Sequence, residues 1–468
     1  MAIIVNQDTT GVQGVADDLI YVVKDDAGLE SEINFRYVCS VRVGGVEVIQ
    51  LKQLPNNLSA AVFNTRSIVS NYVYQDENPY QLGKYGTDGV QDLSKIFAVN
   101  IAALKTVTFR FGYEYSATAA DIPVVTLDSL TDTDVIVVNG NFVTPVTSSP
   151  PPGTSASQYA LVASSRLWLS DLYAESSLVI KTSVLYDGGS QRSFAALAFL
   201  NGDDVGSTGS GFVHVSYYNG ATPLNTGYFI NDTAQGGKAP AASLTDPQSL
   251  IYMGVGTENL EYQTIDPDVD PSDAGNSGWT HYDVQMASNS TLAGNATSAI
   301  YRFERVTCGK YIQDDQVFSL HWWNSKGGVD NLPMLGKVTE SQSMDKKDYR
   351  TSGGNSFSAD GVARDYVKQS WEGGKRSAKV HTTTTYELTT IGGSVDQLTP
   401  MIRSLLNSER AYLSGKSLFG ANTRQPTAGG GVVQAYIKDA RVQYMSGVND
   451  QAKSYKVMVE ISRLRPNP

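Results

Sequence analysis

The sequence predicts a mainly β protein, several β-sandwich-like domains carrying one or two short helices. Three observations predict it. Apolar and polar side chains alternate with a period of two along many short stretches, the mark of half-buried strands. Glycine-containing turn dipeptides recur between those stretches. Only 18% of the 468 residues are charged, below the ~25% of an average domain, while glycine (43) and tyrosine (26) are abundant. A helical bundle would read the other way.

The elements follow in chain order. Alternation is clear over residues 35–43 and again over 105–115, where Val107, Phe109, Phe111, Tyr113 and Tyr115 point one way. Thr106, Thr108, Arg110 and Glu114 point the other. Near the C-terminus Tyr455, Val457, Val459 and Ile461 repeat the pattern. Hairpins are signalled at Gly44-Gly45, Asn139-Gly140, Asp187-Gly188, Asn201-Gly202 and Asn219-Gly220, because these residues tolerate the positive φ of a type I′ turn. Residues 67–73 form a short helix with Ile68, Val69, Tyr72 and Val73 on one face. An amphipathic helix is expected near 395–413, where Leu398, Met401, Ile402, Leu405 and Leu406 fall at helical spacing. Thr399 is its N-cap and Pro400 its first residue, where a missing N–H costs little.

Hydrophobic residues make up 41% of the chain, enough to bury real cores and to exclude wholesale disorder. At roughly 100–200 residues per domain the length implies two to four domains. Three stretches read as linkers or long loops: 144–157 with three consecutive prolines, the acidic 265–278, and 421–431 ending in three glycines. The expected division is an N-terminal β-sandwich-like domain at 1–145 and a Pro/Ser-rich linker at 146–157. A middle β domain at 158–305 follows, and then a C-terminal β domain at 306–468 that carries the amphipathic helix. No repeat of fixed period is visible.

No apolar run reaches the ~18–20 residues that span a bilayer, and the N-terminus lacks a basic, apolar leader. The expectation is a soluble, cytoplasmically made chain with no membrane partner. Cys39 and Cys308 lie in apolar, strand-like contexts and read as buried thiols. Charge is unevenly spread. Residues 1–336 hold 17 basic and 35 acidic side chains, a net of −18, and residues 337–468 hold 19 basic and 12 acidic, a net of +7. The basic residues, among them Lys346, Lys347, Arg350, Lys375, Arg376, Lys379, Arg463 and Arg465, form no long run. That contrast suits head-to-tail docking between copies better than nucleic-acid binding, although an ordinary solvated surface would look the same.

Chemistry-bearing patterns are sparse. None of His214, His281, His321 and His381 has a second histidine three or four residues away, so no zinc helix is written here. A Gly-x-Ser-x-Gly elbow is missing. The glycine-rich stretch 206–211 lacks the lysine and the following helix of a phosphate loop, and Gly373-Gly374-Lys375-Arg376 also fails that pattern. Asp266, Asp268, Asp270 and Asp273 alternate as Ca²⁺ ligands can, but Pro271 stands where an EF-hand needs glycine, so a solvated acidic loop competes with a cation site. No two carboxylates are marked as a glycosidase pair. Tyr217-Tyr218 and Trp322-Trp323 are strand neighbours that must face opposite sides, so one of each pair is expected in a core and the other is available to carbohydrate or a protein partner, with packing in cores and domain contacts the favoured reading. The expectation is therefore no catalytic residue, no cofactor and no metal.

The order of segments resembles a family. Residues 3–7, Asp18-Leu19-Ile20-Tyr21-Val22-Val23, Phe35-Arg36-Tyr37-Val38-Cys39-Ser40-Val41, Leu51-Lys52-Gln53-Leu54-Pro55-Asn56-Asn57 and Val62-Phe63 resemble a domain at the N-terminus of tailed-bacteriophage virion structural proteins. Ser164-Ser165-Arg166 and the Asn201-Gly202 turn resemble their middle module. The run from His321 through Asn324-x-x-Gly327-Gly328-x-Asp330, followed by the 398–406 helix and two last strands, resembles their C-terminal part. The chain departs from the pattern at Trp322-Trp323 and in lacking a proline directly before Arg166. The resemblance implies a non-enzymatic tail, baseplate or collar subunit of the virion, forming a homo-oligomer with other virion structural proteins. It carries no catalytic residue. A receptor-binding module for host-surface glycan and a tail-associated hydrolase are the alternatives.

Overall fold

The fold is seen in a computed structural model, which describes residues 3–7, 11–74, 97–100, 102–128, 131–140, 168–171, 179–185, 195–201, 212–231, 249–261, 266–287, 289–296, 298–306, 318–351, 374–390, 393–408, 410–415, 432–444 and 452–461. They form a mainly β protein with a few short helices, as the alternation predicts. The turn signals at Asp187-Gly188 and Gly202, Cys308, and the stretches 144–157, 206–211 and 421–431 lie outside the described residues.

The first part contains β1 (Ile3–Gln7), β2 (Gly11–Gly14), β3 (Ile20–Asp25), β4 (Ile33–Val43), β5 (Val46–Gln53), β6 (Ala60–Asn64), α1 (Arg66–Val69), β7 (Phe97–Asn100), β8 (Leu104–Ser116), β9 (Val124–Leu127) and β10 (Thr133–Val138). A three-stranded sheet, β1-β3-β6, faces a larger one ordered β2-β10-β8-β4-β5 with β9 added to β8. Their inner faces interlock: Tyr21, Val23 and Phe63 meet Tyr37, Cys39, Val107, Phe109 and Phe111, and the Tyr21 and Phe109 rings lie 4.5 Å apart. Cys39 is fully buried, which pushes its thiol up to about 12. Gly44-Gly45 joins β4 to β5 with φ of 57° and 83°, as a type I′ turn requires. Helix α1 is shorter than the expected 67–73. Single turns carry the chain on from it, and Val69 and Val73 are buried while Tyr72 turns outward.

The middle part contains β11 (Val179–Leu185), β12 (Ala196–Asn201), β13 (Phe212–Asn219), β14 (Thr222–Ile230), β15 (Ser249–Gly254), α2 (Thr257–Glu261), β16 (His281–Ala287) and β17 (Ile300–Val306). One sheet runs β11-β17-β16-β13-β14 and the other β12-β15-β7. The last strand of that second sheet comes from residues 97–100, so the first part of the chain completes a sheet of the middle part. Strands β12 and β15 are buried on both faces. Leu197, Phe199, Ile251 and Met253 enter the sandwich core, while Ala196, Ala198, Leu250 and Tyr252 face the C-terminal part. The Asn219-Gly220 signal is a hairpin, but its central residues are Gly220 and Ala221. Glycine with φ of 59° at the first central position is the type II′ pattern rather than the expected I′. Asn139-Gly140 ends β10 without turning into a hairpin, because Asn139 N–H bonds Ala103 and Gly140 packs on Lys326.

The C-terminal part contains β18 (Phe318–Trp323), β19 (Val329–Met334), β20 (Val338–Thr351), β21 (Gly374–Thr389), β22 (Gly393–Ser394), α3 (Val395–Asn407), β23 (Ala411–Gly415), β24 (Val432–Tyr444) and β25 (Ala452–Ile461). They form one sheet ordered β19-β18-β23-β24-β25-β21-β20, with β22 on β25. Helix α3 lays Met401, Ile402 and Leu405 on Phe318, Leu320, Trp322 and Val457. It starts at Val395, not at Pro400, because β22 pairs with β25 and delivers the chain directly into the helix. Thr399 is therefore not its cap. It ends at Asn407 rather than near 413, since 411–415 is needed as the strand between β18 and β24, and Leu406 is exposed.

Candidate functional site

The three parts meet at a knuckle built from the Asn324-x-x-Gly327-Gly328-x-Asp330 segment. Asn324 Oδ1 accepts from the N–H groups of Lys326 (3.0 Å) and Gly328 (2.9 Å), which closes a tight turn between β18 and β19. Its Nδ2 donates to the Leu169 carbonyl at 2.7 Å. Gly327 has φ of 80°, and a Cβ there would stand 1.9 Å from the Asn139 carbonyl oxygen. A Cβ on Gly328 would stand 1.8 Å from that of Leu169. Only glycine admits neighbouring backbones this closely.

Two carboxylates knit residues 168–171 onto this turn. Asp330 is fully buried and accepts from Ser170 Oγ at 2.5 Å and Asp171 N–H at 3.1 Å. Burial and the neighbouring Asp171 push its carboxyl up to about 7. Asp171 accepts from Ser325 N–H (3.0 Å), Ser325 Oγ (2.5 Å) and Ser404 Oγ on α3. Trp322 Nε1 donates to the same Ser404 Oγ at 2.9 Å, so α3, β18 and the 168–171 segment share one network. His321 is buried beside it. Asn331 Nδ2 donates to the Ala196 carbonyl at 3.0 Å, which turns its Oδ1 toward His321 Nδ1 at 2.6 Å and assigns the proton to Nδ1. Burial holds this imidazole down at about 4.

Above the knuckle lies a cleft of about 910 Å³ walled by all three parts, including Arg66, Tyr74, Asp171, Trp323, Ser325 and Arg410. Its acidic member is already engaged by three donors. The residues singled out by sequence are dispersed rather than gathered here. His214 faces Asn289, and His281 stacks on Tyr218 with ring centroids 5.0 Å apart and planes 7° from parallel. Asp266 and Asp273 cap successive 3-10 turns, and Asp270 bonds Ser272. Asp266 also accepts from Tyr228 N–H, so this acidic loop covers the edge of β14. Among the described residues no cluster of metal-ligating side chains forms. Tyr217 enters the core as expected. Trp323 packs against Tyr252 at 5.3 Å in the seam between sheets, the core and domain-contact packing expected of it. Sequence reading missed Ser170 and Asp171, whose only signal was a polar pair closing the apolar run 167–169.

No protein-family model matches the chain, and no curated protein matches it. Among the described residues no helix is long and apolar enough to cross a membrane.

The outer edges are the other candidate surface. Among the described residues strand β5 ends its sheet with both faces largely open, exposing Val46 and Ile49, and Leu54, Leu58 and Val62 are exposed nearby. Strand β20 ends the C-terminal sheet among the described residues, and residues 339–344 along it are all exposed.

Proposed function

We propose that this chain is a non-enzymatic structural component of a phage virion, a tail, baseplate or collar subunit that assembles in symmetric copies with other virion proteins. The ordered resemblance of its segments supports that reading. The observation that carries it is the edge of β5. A free monomer blunts its edge strands with charge, proline or covering loops, as the acidic loop does for β14. Strand β5 carries Glu47 and Lys52, but both are engaged within the sheet, Glu47 by Ser40 and Gln50 and Lys52 by Glu114, and Val46 and Ile49 stay exposed along the edge, which a neighbouring subunit would complete. Low charged content and abundant tyrosine suit large interfaces. The test is the mass of the purified chain by light scattering across concentration and salt. A discrete oligomer is expected, and a monomer under every condition overturns the reading.

A second reading, a glycan-binding receptor module, is favoured by the cleft. Trp323 lines it, and among the described residues the indole N–H of Trp323 is buried without an acceptor. A glycan screen with a Tyr74→Ala control tests that reading. Binding that survives the substitution, or no binding at all, removes it.

A further inference from the structure

We infer that strand β5 is a twofold contact, pairing antiparallel with β5 of a second copy of this chain so that two six-stranded sheets become one. The inference rests on the assembly reading and names the partner that completes the open edge.

Exposure locates the contact. Among the described residues fourteen large apolar side chains are exposed, and eleven of them lie in the first part of the chain. Five of the eleven, Val46, Ile49, Leu54, Leu58 and Val62, belong to β5 or to the loop and strand that follow it. Val46 is 67% exposed and Ile49 38%. Residues 11–74 are described without a break, and among the described residues β5 pairs with β4 alone. Its outer row of backbone N–H and C=O groups is a template for one more strand.

The order of side chains along the strand identifies the partner. The register runs Val41↔Ile49 and then Arg42↔Glu47, so Val48 is an extra, bulged residue. On a regular strand residues five apart face opposite sides. The bulge resets that alternation: Glu47, Gln50 and Lys52 lie opposite Arg42, Ser40 and Val38 and share one face. Ile49 and Leu51 lie opposite the buried Val41 and Cys39 and share the core face. An antiparallel copy centred on Gln50 then meets its complement at each position. Lys52 falls beside Glu47 of the second copy, Glu47 beside its Lys52, and Ile49 beside its Leu51. A parallel, in-register copy would set glutamate on glutamate and lysine on lysine, and like charges directly opposite repel. Glu47 already accepts from Ser40 and Gln50, and Lys52 donates to Glu114. A carboxylate accepts about four bonds and an ammonium donates three, so both have capacity for the contact. A strand of another protein would need matching charges of its own, whereas a second copy carries them.

Crosslinking of the full-length protein tests the inference. The twofold register sets the two copies of residue 50 directly opposite, with Cβ atoms about 5 Å apart. It sets the two copies of residue 46 six steps apart along the strands, about 20 Å. Gln50→Cys should therefore give a covalent dimer with a short bismaleimide, and Val46→Cys should not. Wild type, whose Cys39 is buried, sets the background. In light scattering Glu47→Lys should raise the midpoint concentration of association about tenfold at low salt, and less at high salt, because it puts like charge beside Lys52 of the second copy. All three positions are exposed, so each variant should melt as wild type does. A wild type that associates while Gln50→Cys gives no covalent dimer overturns the β5 contact and leaves the assembly reading standing. Val46→Cys crosslinking as readily as Gln50→Cys overturns the twofold register, and association unmoved by Glu47→Lys overturns the antiparallel charge pairing. A wild type that stays monomeric at every concentration overturns the assembly reading and this contact with it.

Discussion

Asp330 and His321 are both fully buried at the seam between the parts, and their titrations oppose each other. Burial holds His321 down at about 4 from its ordinary 6.5. As pH falls through that window the unfolded chain takes up a proton that the folded chain refuses, so folding weakens. Asp330 is pushed up to about 7 from 3.8 by burial and by Asp171. As pH falls through that window the folded chain takes up a proton that the unfolded chain does not, so folding strengthens. Relative to wild type, His321→Gln should gain stability from pH 7 to 4, and Asp330→Asn should lose it. Urea midpoints across that range check this, and parallel curves for all three proteins would contradict it. At this scale the sequence was readable where a residue's face follows from strand alternation, as for Phe109 or Tyr217. It did not say which second core receives Trp323, because alternation says only that a side chain leaves one core.

Among elements, the Asn324–Asp330 turn is held by how closely other backbones approach it. Gly328→Ala would drive a methyl group into the Leu169 carbonyl, and overpacking of that kind costs about 3 kcal/mol. Gly44→Ala meets nothing within 4 Å and carries only the positive-φ penalty of about 1 kcal/mol. Denaturant midpoints for the two variants should differ accordingly, and equal losses would show that the knuckle gives way freely. Strands and the Gly44-Gly45 turn were legible because local alternation and glycine position decide them. The limits of α3 were not. Its start is decided by the β22–β25 bridge, and its end by the requirement for a strand between β18 and β24. Neither constraint is local to the helical pattern, so Thr399-Pro400 was a cap in sequence and mid-helix in space.

Over the whole molecule, the three parts are joined by an apolar seam of Ala103, Leu169, Ala198, Leu250, Tyr252, Trp323 and Val329. Trp323→Ala should cost about 3–5 kcal/mol, the usual range for a buried tryptophan. It should also divide one cooperative melting transition into two. Scanning calorimetry reads this, and a single transition at lower temperature would mean that the seam does not couple the parts. Composition carries no trace of a strand such as β7 leaving the first part to pair with β15. That exchange has a consequence for cutting the chain. A protease that severs the polypeptide between Gly140 and Trp168 breaks its covalent continuity and leaves the molecule in one piece, since residues 97–100 remain stitched into the other fragment's sheet. The two fragments should run as one species on a native gel and part only in denaturant. Two co-expressed polypeptides divided at that point should reconstitute the fold.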